Sequence, residues 1–250
     1  MYSMSNIALL LECDQGATLG GSCQRDVNNM AKYLIENMIM KAVDIHIYTT
    51  SKPKNVIDGV HYYTSINFLS SLNQFYNNKY GLVVMLISGH GYSVTDVSGD
   101  EVDGMDEAIN INGLVTDDII YEKVVKMMNY DFMLGLCDTC HSGTMFDLPY
   151  VWNGSKFVID TRRNDVINKF AISLSACADS QLSMCDVGDK TGFGGSLTTG
   201  VLNMDKCLEN LISGLINKNK KIIINEYNKV DGYLKMLNQN INLCTSEILD

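Results

Sequence analysis

The chain has 250 residues, of which 19 are Lys or Arg and 29 are Asp or Glu, so its formal net charge at pH 7 is −10. This acidity argues against a nucleic-acid partner, because binding to a phosphate backbone needs clustered Lys and Arg. The longest apolar runs, such as residues 82–87, are too short to span a bilayer, and the first six residues lack the features of a signal peptide. We therefore predict a cytoplasmic or other reducing location, no membrane partner, and thiols rather than disulfides for the eight cysteines.

Short apolar runs alternate along the chain with segments of helical periodicity. The apolar runs predict strands, followed by a possible last strand at the sheet edge, and the periodic segments predict helices, with Thr116 as one N-cap. Alternation of this kind predicts an α/β fold with a mostly parallel central sheet and helices on both faces. The predicted strands cover residues 7–11, 45–48, 82–87, 132–136, 171–174 and 241–244, and the predicted helices cover 23–38, 65–76, 116–128, 196–217 and 222–239.

Two chemically distinctive segments follow the third and fourth predicted strands. Residues 88–91 read SGHG, and residues 137–143 read CDTCHSG. Because α/β folds place ligands at the carboxyl ends of parallel strands, His90 and Cys140 are predicted to face each other across one cleft. A thiol nucleophile and its proton acceptor need this arrangement, and glycines beside His90 leave backbone N–H groups free to hold an oxyanion. The separation of 50 residues fits the spacing of His and Cys in caspase-type peptidases.

Other interpretations of the cysteines are possible. Residues 137–141 also satisfy the C-x-x-C-H pattern of c-type haem attachment and contain a thioredoxin-like C-x-x-C pair. Both are disfavoured, because no export signal is visible and the motif follows a buried strand rather than opening a helix. No zinc site is expected, since the remaining cysteines lack metal-like spacing with His.

Several long motifs, in the same order, resemble those of the metacaspases, which are caspase-related cysteine peptidases. The resemblance covers nearly the whole chain. It implies a single caspase-like peptidase domain over residues 1–250, with a large-subunit-like part at 1–155 and a small-subunit-like part at 165–250. The motifs are GSCQRDV at 21–27, SGHG at 88–91, GDEVDGMDE at 99–107, DD at 117–118, DTCHSG at 138–143, DLPY at 147–150, ISLSAC at 172–177 and GFGG at 192–195.

Carried over by motif position, the resemblance implies a role for each matching residue. Cys140 would be the nucleophile and His90 the acid and base, with N–H groups near Gly91 and Cys140 forming the oxyanion hole. No third residue that orients His90 can be picked from the sequence. The substrate pocket of the family maps to Cys23, Asp26, Ser88 and Asp138.

Two carboxylates and a hydroxyl at one rim suit a guanidinium or an ammonium group. We therefore expect peptide and protein substrates with Arg or Lys before the scissile bond, rather than Asp. The main alternative is a caspase-like module without catalysis that regulates a partner or binds calcium.

Metacaspases are commonly activated by calcium, and the resemblance maps their carboxylate site to Asp106, Asp117, Asp118 and Asp147. Hard oxygen ligands suit Ca²⁺, and the cluster would repel itself without a cation. Ca²⁺ is thus the expected activator, and no organic cofactor is expected. The other acids of the segment, Asp100, Glu101, Asp103 and Glu107, are expected to form a solvated loop.

A polar stretch at residues 153–168 separates the two parts of the domain and is a candidate processing linker. It contains two of the three arginines of the chain. An enzyme with an acidic pocket could cut itself there, after Arg162, Arg163 or Lys156. The resemblance further suggests a monomer.

Overall fold

A computed structural model describes residues 4–16, 18–99, 101, 104–159, 167–176, 187–189, 192–237 and 239–249. Nine strands form one sheet, in the order β10-β9-β14-β11-β8-β4-β1-β2-β3. Their bounds are β1 Ser5–Cys13, β2 Ile45–Thr49, β3 His61–Thr64, β4 Lys79–Gly89, β8 Asn129–Thr139, β9 Tyr150–Trp152, β10 Phe157–Ile159, β11 Phe170–Ser175 and β14 Asn242–Thr245. A three-stranded sheet (β5 Gly91–Thr95, β6 Met105–Asn110, β7 Leu114–Thr116) and a two-stranded one (β12 Val187–Asp189, β13 Gly192–Gly194) stand apart.

Helices lie on both faces of the large sheet. The described α-helices are α1 Ser22–Glu36, α2 Phe68–Ser71, α3 Asp117–Ile120, α4 Ser196–Asn203, α5 Cys207–Ile216 and α6 Lys220–Met236. Short 3₁₀ turns cover Ala42–Asp44, Ser65–Asn67 and Leu72–Gln74, and a π-helical stretch, Tyr121–Lys126, follows α3. Within the described residues, no helix combines the length and the apolar character that a membrane span requires.

The central strands are apolar on both faces, because each face is covered. In β1, Ala8 and Leu10 belong to the core shared with α1, α4, α5 and α6, whereas Leu9 and Leu11 belong to the core beneath the short helices on the other side. This alternation follows from the period of two in a strand. Six strands run parallel to one another, in the order β3, β2, β1, β4, β8 and β11. The sheet then continues with antiparallel pairs through β14, β9 and β10. The predicted α/β fold, with a mostly parallel sheet and helices on both faces, is confirmed.

Some predicted elements differ in detail. The helix predicted at 65–76 is a series of short turns, and the one at 116–128 is one α-helical turn followed by the π-helical stretch. Thr116 stands at the N-cap position, but its side chain makes no capping hydrogen bond. The helix predicted at 196–217 is two helices, because Lys206 adopts a left-handed φ of 53° between them.

The last predicted strand lies inside the sheet rather than at its edge. Strand β14 pairs with β11 on one side and with β9 on the other. The hairpin of β9 and β10 covers the outer side of β14.

The same hairpin includes the first residues of the polar stretch at 153–168. Phe157 within that stretch is buried and packs against Trp152, with ring centroids 5.2 Å apart. Residues 153–159 of the stretch thus form the turn and the second strand of this hairpin, and residues 160–166 lie outside the described residues.

Candidate active site

The structure brings His90 and Cys140 to one cavity. Strands β4 and β8 are parallel neighbours, with Gly89 opposite Thr139. His90 and Cys140 are the next residues on each strand, so they leave the same rim side by side. Both line a cavity of about 90 Å³. The structure thus places a thiol and an imidazole around one space, which is the arrangement that nucleophilic catalysis by cysteine needs.

The backbone around this pair leaves little freedom. The His90 N–H donates to the Cys13 carbonyl at 3.1 Å, which ties β4 to the end of β1. Gly89 has a φ of +154°, and a Cβ there would lie 2.5 Å from the Cys13 carbonyl. A Cβ on Gly91 would lie 1.7 Å from the Cys140 carbonyl oxygen. Only glycine therefore lets the two rim segments approach this closely.

The four residues predicted for substrate binding line the same cavity. They are Cys23, Asp26, Ser88 and Asp138. We call Asp26 and Asp138 the pocket acids; both are buried, with exposed fractions of 2% and 4%.

Backbone and hydroxyl groups satisfy part of the charge of the pocket acids. Asp26 accepts hydrogen bonds from the Ser88 hydroxyl at 2.7 Å and from the Gly195 N–H at 2.9 Å. Asp138 accepts one from the Thr198 N–H at 2.8 Å. The first residues of α4 thus complete a cavity whose other walls come from α1, β4 and β8.

The pocket acids are close enough to disfavour each other's charge. Burial, followed by the nearby Asp138 carboxylate, raises the pKa of Asp26 well above its ordinary value, against the opposing hydrogen bonds from Ser88 and Gly195. Burial likewise raises the pKa of Cys23, which therefore remains a thiol. A bound cation would reverse the balance at the acids, since opposite charge favours the ionised form.

A second acidic cluster lies in the loops beside the nucleophile. Glu101, Asp117 and Asp147, which we call the loop acids, are all buried, and each offers a carboxylate oxygen within 4.8 Å of the others. Of the four residues predicted to bind calcium, the structure brings Asp117 and Asp147 into this group. Asp106 is buried next to it, and the half-buried Asp118 is outside the group.

The expectation of a solvated acidic loop was wrong for two residues. Glu101 and Glu107 are 7% and 1% exposed. The reason is that strand β6 carries Glu107 against α3, where its N–H donates to Asp117 at 2.7 Å, and Glu101 joins the loop acids. Asp100 and Asp103 lie outside the described residues.

The charge state of Asp117 reflects this crowding. Burial, and then Asp106 and Glu101, raise its pKa from 3.8 to about 8, although N–H groups of Glu107 and Asp118 donate to it. The loop acids also touch the segment after the nucleophile. Thr144 donates its hydroxyl to Glu107, and Asp147 belongs to the same segment. Asp147 is seven residues after Cys140, so a change in the position of the loop acids would also move the segment that follows Cys140.

The predicted self-cleavage residues are placed only in part. Lys156 is exposed, but it stands in the tight turn of the β9–β10 hairpin, where its N–H donates to the Asn153 side chain at 3.0 Å. Arg162 and Arg163 lie outside the described residues.

Sequence reasoning missed several residues of the site. Thr198 and the N–H of Gly195 act through backbone groups, which no side-chain pattern reveals. Thr18 and Asp14 contact the imidazole of His90, and they precede the first helix without any motif of their own. The GFGG motif at 192–195 did point to the segment that holds Gly195.

Comparison with known proteins agrees with this geometry. Residues 7–149 match a sequence model described as metacaspase, peptidase C14 domain. This match includes both rim segments, α1 and all of the loop acids. The chain belongs to the metacaspase family.

Curated metacaspases are similar over part of the chain. Metacaspase-1 of Yarrowia lipolytica is 33% identical over 156 residues, which are 58% of this chain and 33% of that protein. Metacaspase-1 of Cryptococcus neoformans is 26% identical over 204 residues, 78% of this chain and 41% of that protein. The chain thus spans about a third to two fifths of the length of these two relatives.

A solved structure supports the fold. The crystal structure of a protein from Geobacter sulfurreducens aligns with a TM-score of 0.54 over 97% of this metacaspase and 93% of that chain. The sequences are 20% identical, so this similarity concerns the caspase-like α/β architecture alone.

Proposed function

We propose that the chain is a cysteine endopeptidase that cleaves after Arg or Lys, with Cys140 as nucleophile and His90 as acid and base. The observation that carries the proposal is the single cavity lined by His90, Cys140 and both pocket acids. The thiol of Cys140 and the carboxyl groups that would bind a basic side chain line the same space, as cleavage next to a basic residue requires.

The chemistry follows from the groups present. His90 takes the proton of the Cys140 thiol, and the thiolate attacks the carbonyl carbon of the scissile bond. Backbone N–H groups near Gly91 and Cys140 stabilise the resulting oxyanion. As the C–N bond breaks, His90 returns the proton to the leaving amine, and water then hydrolyses the thioester with His90 as base.

The preference for Arg or Lys follows from the pocket acids. A guanidinium can donate two parallel hydrogen bonds to a carboxylate, and an ammonium binds as a point charge. An acidic side chain would bring a further negative charge next to these carboxyl groups in a buried space, which is strongly unfavourable.

We further propose that Ca²⁺ binds at the loop acids and activates the enzyme. The donor set fits, since three buried carboxylates from separate segments of the chain offer the hard oxygen ligands that Ca²⁺ prefers. Glu101, Asp117 and Asp147 would hold the ion, with Asp106 and Asp118 next to them. Bound Ca²⁺ would relieve their repulsion and fix residues 142–147, which follow the nucleophile.

Self-cleavage in the stretch 153–168 is proposed after Arg162 or Arg163 in preference to Lys156. A peptidase binds its substrate in extended form, and the hairpin turn around Lys156 would first have to open. Intact-mass analysis of active enzyme with calcium tests this, and one uncut species would contradict it.

The setting of the enzyme is also proposed. Peptide and protein substrates are its expected partners, without nucleic acid or membrane. The six described cysteines are free thiols, which fits a reducing compartment such as the cytoplasm. A monomer is proposed from the family resemblance, and sedimentation analysis tests it.

The decisive experiment compares fluorogenic peptides ending in Arg, Lys or Asp, with and without millimolar Ca²⁺. We expect cleavage of the Arg and Lys peptides, a rate increase with Ca²⁺, and no turnover by Cys140→Ala. Ca²⁺ binding by calorimetry without any cleavage would instead favour a non-catalytic module. That alternative rests on the loop acids, whose geometry does not depend on Cys140.

A further inference from the structure

The imidazole of His90 has contacts at Nε2 that the two-residue mechanism leaves unexplained. Its Nε2 atom lies 2.7 Å from the Thr18 hydroxyl and 3.7 Å from Oδ1 of Asp14. Thr18 and Asp14 belong to the segment between β1 and α1. His90 is about one third exposed, whereas the Asp14 side chain is 2% exposed.

Asp14 is a firmly held acceptor. Its Oδ1 accepts hydrogen bonds from the Thr18 N–H at 2.9 Å and from the Thr18 hydroxyl at 3.0 Å. Its Oδ2 accepts one from the Leu19 N–H at 3.0 Å. Its own N–H donates to the carboxylate of Glu12, which also accepts from the backbone and side chain of Thr50. The end of β1 is thus tied both to β2 and to the following segment.

The chemistry of the three groups favours one direction for these hydrogen bonds. The Thr18 hydroxyl has a single proton and donates it to Asp14, because a hydrogen bond to a charged acceptor is the stronger one and a carboxylate only accepts. The oxygen of Thr18 then accepts from His90, an arrangement with the ring proton on Nε2. Neutral His90 therefore presents an unprotonated Nδ1 on its other edge, as the base for Cys140 must.

We infer that Thr18 and Asp14 are positioning residues that set the tautomer and orientation of His90. When His90 takes the thiol proton, the imidazolium keeps its hydrogen bond to Thr18 and gains attraction from the Asp14 carboxylate. The backbone bond from His90 to Cys13, the residue before Asp14, holds both partners in register. This inference rests on the proposed role of His90 as the base.

The kinetic test uses Thr18→Val, which keeps the shape and removes the hydroxyl, and Asp14→Asn. We expect kcat on an Arg peptide to fall by about tenfold to a hundredfold, as misplacement of a catalytic group does. KM should stay within about twofold, since substrate binding is untouched. Thr18→Ser should restore kcat, and Gln15→Ala, in the same segment but away from His90, should match wild type. A Thr18→Val enzyme with wild-type kcat would overturn the inference.

A spectroscopic test needs no turnover. Long-range ¹H–¹⁵N correlation of the imidazoles reports which nitrogen carries the proton, and a His90→Asn sample assigns the signals among the four histidines. We expect the Nε2–H form in wild type and a mixture of tautomers in Thr18→Val. A dominant Nδ1–H form in wild type would overturn the inference. If no Cys140-dependent cleavage occurs, the proposed function fails, and the tautomer still decides whether Thr18 and Asp14 set the ring.

Discussion

The two acidic clusters of this metacaspase differ in what surrounds them. The pocket acids stand on regular elements, α1 and the end of β8, and share a cavity with a thiol and an imidazole. The loop acids come from an irregular segment, from the first turn of α3 and from the segment after the nucleophile, and their oxygens lie within 4.8 Å of one another. A cavity between two acids suits a planar or elongated organic cation, whereas converging oxygens suit a small ion. The same residue type therefore indicates a substrate subsite in one place and a metal site in the other.

The largest loss of activity is expected when one of the pocket acids is replaced. Asp138→Asn removes one charge but keeps an acceptor for the Thr198 N–H, so the fold is retained. We expect kcat/KM on Arg peptides to fall a hundredfold or more, because losing one partner of a buried charge pair costs about 2–5 kcal/mol. Ca²⁺ should not restore it. Asp131→Asn, on the surface of the same strand, is the control, and equal losses in both variants would contradict the assignment.

The next effect concerns the shape of the same cavity. A Cβ on Gly195 would lie 2.3 Å from the Asp138 carboxylate, although the backbone there, with φ of −69°, accepts alanine. Gly195→Ala should therefore push Asp138 aside and lower kcat/KM on Arg peptides by about tenfold, the scale of a misplaced binding group.

The matched control for that variant is Gly232→Ala in α6. Gly232 has no atom near its missing Cβ. The change should leave cleavage unaltered and stabilise the helix by about 0.5–1 kcal/mol. A Gly195→Ala enzyme as active as this control would mean that the cavity wall can move freely.

The next prediction concerns the pH dependence of Ca²⁺ binding at the loop acids. The pKa of Asp117 is about 8 in the metal-free chain, so at pH 6.5 its carboxyl holds a proton that Ca²⁺ must displace. As pH increases towards 8, the apparent Ca²⁺ affinity should rise by up to about tenfold per pH unit, and above pH 8 it should level off. Calorimetry at pH 6.5 in two buffers of different ionisation enthalpy should show release of about one proton. Identical heats in both buffers would count against binding through Asp117.

The smallest effect is on stability without metal. Because burial raises the pKa of Asp117 above 3.8, the folded chain binds the proton more tightly than the unfolded chain. Its full contribution to stability is present only below about pH 3.8, where the carboxyl is protonated in both states, and it is lost progressively as pH rises from there to about 8. Asp117→Asn should remove this loss and, with a chelator at pH 8, raise Tm by about 2–4 °C per kcal/mol recovered.

The control for the stability measurement is the same pair of proteins at low pH. The difference between the two melting temperatures should shrink steadily as pH falls from 8, and they should converge near pH 4, where the Asp117 carboxyl is largely protonated in the unfolded chain as well. A constant difference at all pH values would show that the substitution acts through packing rather than charge.

Much of the fold could be predicted from the sequence because the central strands carry continuous apolar runs. Residues 82–87 and 132–136 fall within β4 and β8. Short elements such as β3 and the β9–β10 hairpin were missed, since three or four residues give too little periodicity to recognise. Strand β14 was found, but its neighbours were not, because pairing with β9 depends on tertiary contacts.

The candidate site divides in the same way. His90, Cys140 and the pocket acids were predicted from motifs, and the structure brings all of them to one cavity. Glu101 was assigned to solvent because an acidic run ordinarily is solvated, and its burial among the loop acids depends on how β6 meets α3. Thr18 and Asp14 could not be found, because a hydrogen bond across 72 residues leaves no pattern in the chain.

The ladder between β8 and β11 has a consequence for a nicked molecule. The two strands run side by side from Phe170 opposite Phe132 to Ser175 opposite Cys137, and they come from opposite sides of residues 160–166. A cut within that interval would sever the covalent link while leaving the ladder, the apolar layers and the α4 wall of the cavity assembled. The two fragments should then copurify and separate only in denaturant. A cut there would therefore break one peptide bond without taking the folded domain apart.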